Sequence, residues 1–169
     1  MEVIKDRNDQ STKPSLRRPY DSKVGVFPCR SFNLGGQAVS FPHTDMENLA
    51  NSWCSVTALG KFDSTQGGHL VLWDFGLIIE FPAGSTILIP SALLVHSNTS
   101  IQPDESRCSI VQYAAGGLFR WVENGCMTDV ERLAQASVDD IIDHRLAQAQ
   151  RWEKAQRMFT HLDELLDVE

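Results

Sequence analysis

The stretch HLVLWDFGLIIEFPAGSTILIPSALLVHS, residues 69–97, decides the fold. Four short runs rich in β-branched and aromatic residues follow one another: HLVLWDF, LIIEF, STILIP and ALLVHS. Gly76 and Pro82-Ala83-Gly84 stand between runs as turn residues, and Gly67-Gly68 precedes the first. Upstream lie three further runs, VGVF (24–27), QAVSF (37–41) and CSVTALGKF (54–62), and downstream lies SIVQYA (109–114). Eight short strands with turn signals between them predict a mainly β domain, an all-β barrel or a double-sheet jelly roll of the double-stranded β-helix kind.

On either side the pattern changes. Residues 1–23 are polar, contain Pro14 and Pro19, and read as an arm expected to be poorly ordered. The β core is assigned to 24–127 and a C-terminal α-helical segment to 128–169. Thr128 with Glu131 forms a capping-box pattern, and Ser137 is a second N-cap, followed by Asp139 and Asp140 where a helix dipole favours anions. Apolar residues then recur at Ile142, Leu146, Ala149, Trp152, Ala155, Phe159, Leu162 and Leu166. That spacing makes one stripe, expected to pack on the barrel or on a partner subunit, which would make a homo-oligomer.

At 169 residues the chain is one domain's length. No apolar run is long enough to span a bilayer, so no membrane is expected as a partner. The N-terminus lacks an apolar signal core, and Cys29, Cys54, Cys108 and Cys126 form no C-x-x-C pair. Reduced thiols in a nuclear or cytoplasmic protein fit better than a secreted disulfide framework or a zinc ribbon. The net charge of −7 is unevenly spread: seven Lys/Arg face four Asp/Glu in residues 1–30, against five and eleven in residues 123–169. Only the arm, with Lys13, Arg17, Arg18 and Lys23, offers a basic surface. Tight autonomous binding of duplex DNA is disfavoured; a weakly held nucleic-acid substrate is not.

SFPHTDMENLANSW, residues 40–53, carries an H-x-D pair after the second expected strand. Side chains alternate along an extended segment, so His43 and Asp45 share a side. His96, in the seventh run, would complete a two-histidine, one-carboxylate face with open positions, which suits Fe(II). His69 is the rival ligand, but it follows Gly67-Gly68 as a turn-edge histidine would. An enzyme that also uses 2-oxoglutarate needs a cation for the distal carboxylate. Arg107 leads into SIVQYA and is one of three basic residues between 31 and 122. Facing the barrel, it would be costly without an anion, and its planar fork matches a carboxylate.

With these residues in view, the chain resembles the TET/JBP-type Fe(II)/2-oxoglutarate dioxygenases, in particular their fungal transposon-associated branch. The resemblance covers about residues 24–127 and is carried by GKFDSTQGGHLVLWDFGLIIEFPAGSTILIPSALLVHSNTSI and QYAAGGLFRWVENG. It implies oxidation of methylated bases, 5-methylcytosine or N6-methyladenine, in DNA or RNA. It implies His43, Asp45 and His96 as metal ligands and Arg107 as the 2-oxoglutarate anchor. It further implies Asn48 as a hydrogen-bonding partner of the flipped base and Tyr113 as its stacking face. The chain departs from the family in carrying Ala115 where a base-contacting histidine is usual, and in the short segment ahead of its core. Two alternatives stand beside this reading: a hydroxylase of the same chemistry acting on a protein or small molecule, and a decayed barrel serving as a binding module.

Overall fold

The computed structural model describes residues 25–161 and 163–164. The expected arm, Leu162 and Leu166 lie outside these residues. The chain divides into two compact units, one ending at Phe119 and the other beginning at Arg120.

The first unit is built from antiparallel strands. They are β1 (Cys29–Asn33), β2 (Cys54–Lys61), β3 (Leu70–Leu72), β4 (Leu77–Ile79), β5 (Thr86–Ile89), β6 (His96–Asn98) and β7 (Ser106–Tyr113). One sheet has the order β1-β7-β2-β5 and the other β4-β3-β6. The buried core comes from both sheets. Ala58 and Ile89 join Leu70, Leu72 and Phe81, with Val56, Ile79 and Ile87 packed against them. Register explains the selection. Cys54 faces Ile89 and Val56 faces Ile87, so alternate residues of β2 and β5 share the inner side. The turn at Pro82–Ser85 closes with Ser85 N–H donating to the Pro82 carbonyl at 3.0 Å. Its Gly84 has φ +90°, as a type II turn requires.

Six of the eight expected runs contain strands, and two do not. Among the described residues of 24–27 there is no strand. The first strand is instead CRSFN, directly after Pro28. Its mixed polarity hid it, since it is paired on one side alone, through the register Cys29↔Tyr113 to Asn33↔Ser109. QAVSF is likewise no strand. Its ladder is interrupted by a side chain: Asn98 Oδ1 accepts from Ser40 N–H at 2.8 Å, and Asn98 Nδ2 donates to the Ala38 carbonyl at 3.1 Å. An amide thus takes the groups that a neighbouring backbone would have paired.

Helix α1 (Gly116–Glu123) spans the boundary of the two units. It is followed by α2 (Asp129–Gln135), α3 (Val138–Ala149) and α4 (Arg151–Gln156). Both expected caps are present as full capping boxes, Thr128 with Glu131 and Ser137 with Asp140. Asn124 ties the first turn of α2 together, donating to Asp129 at 2.7 Å and accepting from Arg132 at 3.2 Å. The apolar stripe is divided at Gln150, and Ile142, Leu146 and Trp152 are exposed.

Gly60 pairs with Arg107 across β2 and β7 and has φ +123°. A Cβ there would lie 2.2 Å from the Ser106 carbonyl oxygen. Gly60→Ala is therefore expected to cost more than about 1 kcal/mol, because both the dihedral and the backbone contact oppose it. Urea unfolding of the two proteins measures it; an unchanged midpoint would contradict the close approach.

Candidate metal centre

His43 and Asp45 belong to the segment between β1 and β2, outside any named strand. A two-residue backbone bridge holds them. His43 N–H donates to the His96 carbonyl at 3.0 Å, and His96 N–H donates back at 2.9 Å. That reciprocal pair sets the imidazoles side by side, ring centroids 4.4 Å apart. Asp45 is fixed one step on, its N–H donating to the Ser91 carbonyl at 2.9 Å. His96 is buried, while His43 and Asp45 are partly open, at 42% and 28% side-chain exposure.

Both histidines are oriented in the same way. His43 Nδ1 lies 2.7 Å from the Phe41 carbonyl oxygen, and His96 Nδ1 lies 2.9 Å from that of Leu94. A carbonyl only accepts, so the contact assigns the proton to Nδ1 in each ring and leaves the Nε2 lone pair free. A backbone carbonyl behind each imidazole is the support that metal-ligating histidines ordinarily have. One donor atom from each of His43, Asp45 and His96 lies within 4.8 Å of the others, and they are the sole such set among the described residues. The shortest described contact in the set, His43 Nε2 to Asp45 Oδ1, is 3.5 Å. That is too long for a strong charge-assisted hydrogen bond and open enough for a cation to sit against both. Two imidazoles and one carboxylate suit a divalent transition metal such as Fe(II). His69, the rival, is hydrogen-bonded to Thr99 and lies outside the set.

Cys54 adds no second anion. Burial pushes its thiol up to about 11, outweighing a hydrogen bond from Ser91, and the nearby Asp45 charge acts in the same direction as burial. At neutral pH it remains a protonated thiol.

Arg107 is 3% exposed. Its NH1 donates to the Ala38 carbonyl at 2.9 Å, while its Nε is buried without a hydrogen-bond partner. Burial draws its pKa below the ordinary arginine value, yet a guanidinium keeps its charge in proteins. No carboxylate pairs with it among the described residues. A buried cation with an unspent N–H is suited to an anionic partner.

Residues alternate along β7, so Ser109, Val111 and Tyr113 share the face of Arg107. Ser109 is buried and its hydroxyl accepts from Asn33 Nδ2 at 2.9 Å. Ser109 stands two residues after Arg107, a spacing visible in the sequence, whereas nothing in the sequence signals Asn33 as its partner. Tyr113 lies six residues from Arg107, about 20 Å along an extended strand. Its hydroxyl is 3.4 Å from that of Ser31. Asn48 is brought to the Tyr113 end of β7 by its bridge with Ala115 and by Leu49 N–H donating to the Ala114 carbonyl at 2.7 Å. Its amide nitrogen contacts Asp45 Oδ2 and Ser91 Oγ, both at 3.2 Å.

No family profile matches the chain, and no curated protein matches it. Solved structures similar to it include the following two. NgTET1 in complex with 5mC DNA is 21% identical, with a TM-score of 0.47 over 53% of this chain. The viral collagen prolyl hydroxylase vCPH from Paramecium Bursaria Chlorella virus-1, in its 2OG complex, is 13% identical, with a TM-score of 0.37 over 52% of this chain. The alignments take in 34% of the first protein and 62% of the second.

His96→Ala removes the most buried of the three donors. Anaerobic titration with Fe(II) is expected to give one metal per chain for the parent and loss of tight binding for the variant. Unchanged stoichiometry in His96→Ala would remove it from the ligand set.

Proposed function

We propose that the chain is an Fe(II)/2-oxoglutarate-dependent oxygenase with a double-stranded β-helix core, acting on methylated bases in nucleic acid. The observation that carries the reading is the convergence of His43, Asp45 and His96 with both Nε2 lone pairs unspent. Arg107, buried with an unpartnered Nε, supports the 2-oxoglutarate half of it.

The residues divide the work. His43, Asp45 and His96 would hold the metal, each giving one donor atom. Arg107 binds the distal carboxylate of 2-oxoglutarate, with the Ser109 hydroxyl on the same strand face as a further donor. Bound iron supplies the oxygen chemistry, in which O2 and 2-oxoglutarate give succinate and CO2 while a methyl C–H becomes C–OH. His96 is the buried member of the set and gives the centre its sheltered side. Tyr113 offers a stacking face, and Asn48 lies at the same end of β7. Ala115, smaller than a histidine at that position, supports a looser base choice that includes N6-methyladenine beside 5-methylcytosine. The acidic charge implies that nucleic acid is held weakly, through the base more than through phosphate.

The same charge balance and Ala115 favour a second reading, a hydroxylase of a protein or small molecule. Methylated and unmethylated oligonucleotides offered with Fe(II) and 2-oxoglutarate separate the two. Oxidised base and stoichiometric succinate are expected with the methylated strand. Succinate formed without oxidised base, together with hydroxylation of another substrate, would put the second reading in its place.

Arg107→Lys keeps the charge and loses the fork. The Michaelis constant for 2-oxoglutarate is expected to rise about tenfold or more, since a hydrogen bond to a charged group is worth about 1.5–3 kcal/mol. An unchanged constant would move the anchor elsewhere. Tyr113→Ala removes a stacking face worth about 1–3 kcal/mol per base. It is expected to lose base oxidation while retaining slow, substrate-free decarboxylation of 2-oxoglutarate. Oxidation at the parental rate would detach Tyr113 from the base.

A further inference from the structure

The geometry points to Asn48 and Ser91 as a positioning pair for the carboxylate of Asp45. The inference rests on the metal reading proposed above and is independent of whether the substrate is a nucleic acid. Asn48 Nδ2 donates to Asp45 Oδ2 and to Ser91 Oγ, each at 3.2 Å. The chemistry fixes which end of the amide faces the carboxylate. Turning it over would set the amide oxygen against a carboxylate oxygen, acceptor against acceptor.

Ser91 is the anchor of the pair. It is 1% exposed, and its N–H donates to the Ile89 carbonyl at 2.9 Å, just beyond β5. Its own carbonyl accepts from Asp45 N–H at 2.9 Å. One buried residue therefore holds Asp45 twice, directly through the backbone and through Asn48 at the side chain. Asn48 is itself fixed, its N–H donating to the Asp45 carbonyl at 2.9 Å and its backbone bridged to Ala115.

The consequence lies at the metal. Oδ2 is occupied by the amide, and Oδ1 is the oxygen turned toward His43 Nε2 at 3.5 Å. A carboxylate free to rotate can offer a metal both oxygens. Held by Asn48 it would offer one, Oδ1. Both N–H groups of Asn48 are spent in this arrangement, so a base at the site would meet its carbonyl oxygen.

The test uses the full chain stripped of metal and titrated with Co(II), without 2-oxoglutarate or nucleic acid. Affinity and ligand-field absorption are both read. Asn48→Ala is expected to weaken Co(II) binding by about 10- to 100-fold, the usual effect of losing a support behind a metal ligand. Ser91→Ala should act in the same direction by about tenfold, and the double variant should be little weaker than Asn48→Ala alone, because the two act in one chain of contacts. At saturating Co(II) the Asn48→Ala spectrum should differ from the parent's as the carboxylate turns; mere loosening of the fold would leave it alone. Ser91→Ala removes one oxygen and keeps the test open should Asn48→Ala not fold. Parental affinity and parental spectrum in the folded variants would overturn the inference while leaving the metal site intact. A parent that binds no Co(II) would overturn the metal reading, and this inference with it.

Discussion

The site depends on one short irregular segment, residues 36–45, that is laced across both sheets. At its start Arg107 N–H donates to the Gly36 carbonyl at 2.5 Å and Ala38 N–H donates to the Arg107 carbonyl at 3.0 Å. In its middle Ser40 is held by Asn98, and at its end His43 exchanges two backbone hydrogen bonds with His96 while Asp45 reaches Ser91. These contacts run from β7 in the larger sheet to β6 in the smaller one. Because each is to a backbone group or to the half-buried Asn98 amide, the segment has little freedom to slide. A slip of one residue would exchange His43 and Asp45 for Thr44 and turn both donors away. The Asp45 carboxylate and the buried cation are thus fastened by the same ten residues.

Support within the centre is graded. The two imidazoles are braced by backbone carbonyls two residues earlier in the chain, partners that substitution cannot delete. Asp45 is braced by side chains, so its orientation depends on the identity of Asn48 and Ser91. Variation among chains of this architecture would therefore act first on the carboxylate and last on the histidines. Gly60 plays a comparable part beside Arg107: the strands approach closely there because no side chain intervenes.

Much of this was legible in the sequence. H-x-D needs an alternation of two to share a side, His96 needs a short run ending in a polar residue, and Arg107 is conspicuous as a lone cation leading an apolar run. The helix caps were legible because Thr128 and Ser137 act on residues three positions away. What was not legible depends on distant partners. QAVSF has the alternation of a strand, and only the fold shows that the Asn98 amide, 58 residues from Ser40, takes its ladder positions. CRSFN lacks an apolar alternation and is a strand because β7 pairs with it. Ser91 resembles any turn serine until Asp45 and Asn48 are found against it. The helical stripe could be read, but periodicity does not specify what a stripe packs on, and its members at Ile142, Leu146 and Trp152 are exposed.

Charge balance ties the two halves of the proposed chemistry together. Two neutral imidazoles and one carboxylate carry a single negative charge, and the protonated Cys54 thiol adds none. A divalent cation on that set leaves one positive charge, and Arg107 supplies a second. A dianion that reaches both would bring the interior to neutrality, whereas a monoanion or a neutral ligand would leave a buried charge unpaired, at a cost of several kcal/mol. On the reading proposed above, an acid with two carboxylates would meet that requirement. The buried guanidinium and the donor set would then both favour such an acid by electrostatics.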